Sequence, residues 1–473
     1  MTTDPPRPAV RASPGHPYPA RSALTIGALA GYADRALVGL MLATAFALPL
    51  VFSTAGPDVF ALPKSATLWV VSAVAATLLA LRLAAQPRTR PRTTPVWLLT
   101  GAWLLLNVAA WWLSIDRGHS LLGESLQYQG FVSVLCYALA LAVAATTLRG
   151  RFRVRLLLVA IVVGAIPVAA YAVLQWFRLD PIWPDFPKGR AFSTLGQANT
   201  LGAYLVIAIA ATAGLFGSFG RASRSLLVLV GLLLTAAIAV TLSRGAYVGL
   251  LAVVIVIAVI AGAPIAGGIR LASRRVLIVA AVLVVAGWVA VVPRLEPFVQ
   301  RAASTVDLTE GSIRGHFDLW AVAARIVAEH PLLGTGQDTY VLEFGRLRDV
   351  ALTPDRAAVM AKFRPESPHN VYLAIAGASG LPSLAAYLGI VILAVTGKLR
   401  RARAGPARVD RWLLAALFAM IAGHLVTDSF VTADVTSTWL FWVVLGVAVG
   451  WSSSTDSPGD RFGDLAAKSG RAG

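Results

Sequence analysis

The sequence predicts an all-α polytopic membrane protein of about twelve transmembrane helices with one large extracytoplasmic loop. Three observations carry this expectation. The 473 residues are 57% hydrophobic and only 14% charged, with a mean hydropathy of +0.72, whereas a soluble chain carries charge on about a quarter of its positions. The apolar residues fall in runs of about 20, the length a helix needs to cross the hydrocarbon layer. The basic residues gather in alternate connections between those runs.

In chain order, residues 1–32 are Pro-rich and polar and read as a disordered cytoplasmic tail instead of a cleaved signal. Nine spans follow within 33–293: 33–53, 64–84, 96–114, 130–148, 154–177, 200–219, 225–242, 245–265 and 275–293. The two runs around Ser243-Arg244-Gly245 almost touch, so one long helix there would make the count odd. Charge decides between the two. With a cytoplasmic N-terminus and a break at Arg244, the inner side holds 26 basic and six acidic residues and the outer side 15 and 17, net +20 against −2. Both termini are then cytoplasmic and the Arg244 turn faces outward.

Residues 294–368 form the sizeable extracytoplasmic segment, with an amphipathic helix in which Phe317, Trp320, Ala324 and Val327 or Ala328 recur at helical spacing. Arg314, Asp318 and Arg325 lie on its other faces, and Pro331 ends it. This segment is expected to rest on the bundle. Spans at 369–396, 411–430 and 434–451 complete residues 369–451, and 452–473 is a second disordered cytoplasmic tail.

Composition also excludes several functions. Cys136 is the only cysteine, so no intrachain disulfide forms. The formal charge of +18 is accounted for by topology and contact with anionic membrane lipids, not by nucleic acid. The histidines form no HExxH pattern, and Gly334-Thr335-Gly336 lacks the lysine of a P-loop, so neither a metal nor a nucleotide cofactor is expected.

Polar groups that persist beside apolar spans mark function, because each costs free energy without a partner or a wet cavity. His119, His316, His330, His369 and His424 all fall on the outer side. For His119, His330 and His424 the simple reading is an interfacial side chain reaching water. Four local signals stand out: Ser243-Arg244-Gly245 between spans, Arg314 to Trp320 at the start of the outer helix, Glu329 to Gly336 with its paired glycines, and Pro368-His369-Asn370 at the entrance of the tenth span. Two arginines and a histidine on one face suit a reaction on a pyrophosphate-linked lipid. Cations hold the diphosphate leaving group while a base orients the attacking hydroxyl.

Over roughly 95–450 the chain resembles the O-antigen ligase and polymerase superfamily of bacterial envelope enzymes. The resemblance rests on Arg190-Ala-Phe-Ser-Thr-Leu-Gly-Gln-Ala-Asn199, Leu242-Ser-Arg-Gly-Ala246, Arg314 with Trp320, His330-Pro-Leu-Leu-Gly-Thr-Gly336, His369-Asn-Val-Tyr-Leu373 and Ala378-Ser-Gly-Leu-Pro382. It implies a plan similar to the C-type glycosyltransferases and transfer of a glycan from undecaprenyl pyrophosphate to an acceptor hydroxyl, inverting and without a metal. The glycan, lipid or protein acceptor would be reached on the outer face of the plasma membrane. By the same resemblance Arg244 and Arg314 grip the donor pyrophosphate, His369 activates the acceptor, and Arg190, Asn199 and Asn370 bind substrate. A polymerase using the same donor is the alternative, and a solute transporter using His369 and Arg244 is a third reading. Oligomeric state is not legible in the sequence.

Overall fold

The computed structural model describes residues 21–85, 94–183, 189–262, 311–404 and 411–450, and among these every regular element is helical. Nine helices come first: α1 (Arg21–Ala47), α2 (Ala61–Ala85), α3 (Pro95–Trp112), α4 (Arg117–Leu122), α5 (Phe131–Thr147), α6 (Arg151–Trp176), α7 (Ala198–Leu215), α8 (Arg221–Thr241) and α9 (Arg244–Gly262). After the undescribed stretch 263–310 come α10 (Gly311–Glu329), α11 (Tyr340–Ala351), α12 (Pro354–Met360), α13 (Val371–Ala404), α14 (Arg411–Thr427) and α15 (Val435–Gly450).

Eleven of these helices coincide with eleven of the expected spans; the segment 275–293 and both chain ends lie outside the described residues. Eight of the eleven are long and apolar enough to cross a membrane, and α5, α14 and α15 are apolar but shorter. The chain is a multi-pass membrane protein. α7 is buried along nearly its whole length, with α6, α8, α9 and α14 packed around it, while α15 packs on α5. α15 and α5 approach closely because Gly446 and Gly450 face the α5 backbone: a Cβ at Gly450 would sit 2.0 Å from the Ala145 carbonyl oxygen.

The helix does not run through Ser243. Leu242 adopts a left-handed conformation at φ 50°, and Arg244 opens α9. The C-terminal end of α8 is capped from a distant loop, since Ala191 N–H donates to Val240 O at 3.0 Å and Arg190 Nε to Thr241 O at 2.9 Å. At the opposite end of the bundle, Arg82 of α2 and Arg153 of α6 both reach Asp34 of α1, at 3.1 and 2.7 Å. These three residues therefore share one end, as the charge pattern requires.

α10, α11 and α12 build a small core of their own from Leu319, Val322, Ala323, Ile326, Tyr340, Phe344, Leu347 and Met360. This corrects the expected face of α10. The buried stripe is Leu319, Val322, Ala323 and Ile326, whereas Phe317 is 49% exposed and Ala324 is exposed. Apolar residues cover more than half of this helix, so periodicity alone could not choose between two adjacent stripes; the position of α11 does. Asp318, one of the residues outside the expected apolar stripe, is buried and paired with Arg356.

A backbone clasp joins this segment to the bundle. Gly380, at φ 83° and ψ 166°, breaks α13, and Pro382 has no N–H with which to continue the ladder. The carbonyls of Gly377 and Ala378 are thereby freed. Thr335 N–H takes the first and Gly336 N–H the second, both at 2.9 Å, while Leu381 N–H turns to Pro331 O at 2.8 Å. The two glycine-rich stretches noted in the sequence are the two halves of this one contact. Gly334 and Gly336 have positive φ, and a Cβ on Gly334 would lie 2.3 Å from Gly377 O.

Candidate functional site

His369 lies in the loop just ahead of α13, with a positive φ of 50°. A non-glycine residue held there costs of order 1–2 kcal/mol, so its surroundings must fix it. They do so from both sides. His369 N–H donates to Ser367 Oγ at 3.2 Å, and Val371 N–H donates to Asp428 O at 2.8 Å. The Asn370 side chain braces the same loop, with Oδ1 accepting from Leu373 N–H at 3.0 Å and Nδ2 donating to Ser429 O at 3.3 Å.

The imidazole is held as firmly as the backbone. Nδ1 shares a 2.8 Å hydrogen bond with Thr432 Oγ1, and Thr432 in turn shares a 2.6 Å bond with Ser367 Oγ. Ser367 and Thr432 are buried. Nε2 makes no hydrogen bond among the described residues, which leaves it for an incoming group. The His316 ring stands edge-on at 5.6 Å between centroids. Burial, and secondarily the charge of His316, pull the His369 pKa down to about 4, so the ring is a neutral acceptor near pH 7.

His369 and His316 line an open cavity of about 620 Å³ together with Gln197 and Asn199 from the start of α7 and Arg356 and Arg364 from the outer segment. Leu319, Val359, Met360 and Phe363 give the same cavity an apolar wall. The loop that delivers Asn199 is pinned throughout: Arg190 donates to Asn199 Oδ1 at 2.7 Å, Thr194 Oγ1 to Pro49 O at 2.7 Å, and Lys64 Nζ to Thr194 O at 2.6 Å. A cleft with cations, a neutral imidazole and an apolar side can hold a lipid-linked anion while a proton is removed nearby.

Of the residues expected from sequence, His369 and Asn199 meet in this cavity, and Arg190 stands behind Asn199. Arg314 occupies the first turn of α10, two residues before His316, and is exposed. Arg244 begins α9, and the adjacent Gly245 packs on Phe430 of the loop that continues to Thr432. Neither arginine is among the residues lining the cavity. Asn370 lines a separate, smaller cavity. Two other expectations change. His424 is 2% exposed, 3.3 Å from Asp428 and packed at 4.4 Å against the Phe441 ring, so it does not reach water, because α14 is buried on most of its faces. His119 is part-buried and bonds Asp338 O at 3.0 Å, while His330 is exposed.

Sequence reading missed Ser367, Thr432, Arg356 and Arg364. Thr432 lies 63 positions from His369, and threonines and arginines in loops carry no local signature that distinguishes them.

No curated protein matches the chain. The match to a known family runs from α8 into α13 and takes in Arg244, Arg314, Arg356, Arg364 and His369, but not Asn199 or Thr432. Residues 229–388, about a third of the chain, are similar to the family model described as O-antigen ligase.

Proposed function

We propose that the protein transfers a glycan from a polyprenyl (undecaprenyl) pyrophosphate donor to an acceptor hydroxyl on the extracytoplasmic face of the plasma membrane. The observation that carries this reading is the pinned His369, with Nδ1 tied to Thr432 and Nε2 open beside a cavity that also holds cations. In the proposed step Nε2 takes the proton of the acceptor hydroxyl. The oxygen attacks the anomeric carbon from the side opposite the pyrophosphate, and the carbon–oxygen bond to the leaving group breaks with its electron pair. Inversion follows, and polyprenyl pyrophosphate is released.

Arg314 and Arg244 are assigned to the donor pyrophosphate, and Arg356 and Arg364 add charge at the cavity wall. Arg190 supports the donor side through Asn199. With arginine supplying the positive charge, the step as written requires no metal. The apolar wall of Leu319, Val359 and Phe363 suits the first isoprenoid units of the donor.

The test is to reconstitute the protein in liposomes with a labelled polyprenyl-pyrophosphate glycan, with and without acceptors, and resolve the products by mass. Acceptor-dependent transfer that His369→Ala or Arg314→Ala strongly lowers is the expected result. Elongation from donor alone would identify a polymerase using the same chemistry. Transfer unchanged in either folded variant would overturn the assignment.

A further inference from the structure

Beside His369 lies a second, partly open cavity of about 130 Å³ between the outer segment and the bundle. That is room for about four waters at roughly 30 Å³ each, or for one six-membered ring, since a cavity of about 150 Å³ holds benzene. Among the residues that line it, Gln337 Oε1, Trp103 Nε1 and His424 Nδ1 are buried atoms with no hydrogen-bond partner among the described residues. The three side chains are 3%, 4% and 2% exposed. Leaving such groups unpaired costs about 1–3 kcal/mol each, so this wall is polar at a cost to stability.

The remaining lining defines what kind of molecule fits. Trp103 and Trp442 lie with their ring centroids 4.7 Å apart, and Tyr387 is 6.0 Å from Trp442, forming an aromatic wall suited to the C–H face of a pyranose. Asp338, Glu366 and Asp428 supply carboxyl oxygens, and among the described residues no lysine or arginine lines the cavity. A phosphate would be repelled, and a hydrocarbon chain would strand the polar groups without partners. A neutral ring carrying several hydroxyls satisfies both constraints.

The smaller cavity and the larger one share a wall. Ser367 and Thr432 line the smaller cavity and bond each other, and Thr432 also bonds the His369 ring that lines the larger one. We infer that the smaller cavity is a subsite for a single neutral saccharide unit of the glycan whose reacting end lies at His369. This inference rests on the transferase reading, which places a glycan at that histidine.

The experiment uses the full chain in lipid nanodiscs and saturation-transfer NMR with D-glucose, D-galactose, N-acetyl-D-glucosamine and L-rhamnose, with glucose 6-phosphate as the anionic control. Two variants fill the cavity from different walls, Ala433→Leu and Ala374→Leu, and thermal melting reports which of them fold. Signal from at least one neutral sugar, none from the phosphate, and loss of the signal in a folded filled variant are expected. In the transfer assay that variant should raise KM for the glycan about tenfold with kcat little changed. Absence of any neutral-sugar signal, or its persistence in a folded filled variant, overturns the subsite and leaves a water-filled cavity. A wild-type protein that turns over donor but binds no sugar refutes the subsite alone. One that binds neutral sugars in a filling-sensitive way yet turns over no donor refutes the transferase reading instead.

Discussion

Thr432→Val removes the hydroxyl that holds His369 Nδ1 at 2.8 Å while keeping nearly the same shape. A neutral hydrogen bond of this kind contributes about 0.5–1.5 kcal/mol. If that bond holds the ring in the tautomer and orientation that leave Nε2 as acceptor, losing it lowers the productive population by about 2- to 12-fold. The expected result is a drop in kcat of about fivefold with KM within about twofold. The variant also leaves Ser367 Oγ without its 2.6 Å partner, so stability falls by about 1–3 kcal/mol. Thermal melting separates that effect from the kinetic one. Thr432→Ser restores the hydroxyl and should recover most of the lost kcat, and nitrogen-15 NMR of the histidine ring should show the tautomer shifting in Val and returning in Ser. A Val variant with wild-type kcat, or a Ser variant no better than Val, would refute the positioning argument.

Other outcomes follow from the same geometry. His369→Ala should lower kcat by about 10²- to 10⁴-fold, the range for loss of a general base, without abolishing folding. Because burial holds the His369 pKa near 4, below its unfolded value of about 6.5, the substrate-free ring stays almost wholly neutral from pH 6 to 8, and an NMR titration should show its protonation only below that range. The sign for stability is that the unfolded chain binds this proton more readily, so the contribution is complete above about pH 6.5 and is lost as pH falls towards 4. Gly380→Ala forces a side chain into positive φ with its Cβ 2.1 Å from Leu332 O, and should destabilise the protein by about 3 kcal/mol or more in a melting assay. Arg364 is 77% exposed and lines the open cavity, so Arg364→Ala should raise donor KM about threefold without moving the melting midpoint.

The length and placement of the apolar helices were legible in the sequence, since membrane crossing depends on local composition that needs no knowledge of the rest of the chain. The sharing of one end by Asp34, Arg82 and Arg153 was equally legible, because charge sidedness is written along the chain. His369 could be singled out because an ionisable residue at the mouth of an apolar span demands a reason. Its partners could not. Thr432, Arg356 and the unpartnered atoms of Gln337 and Trp103 are set by contacts between distant segments, and polar residues in loops have no periodicity to reveal them. The same limit explains the face of α10, which was decided by where α11 lies and not by the helix itself. It also explains why Gly334, Gly336 and Gly380 looked like separate turn signals. Only the folded chain brings the carbonyls freed by Gly380 and Pro382 against the amides of Thr335 and Gly336, and so makes three local irregularities into one contact.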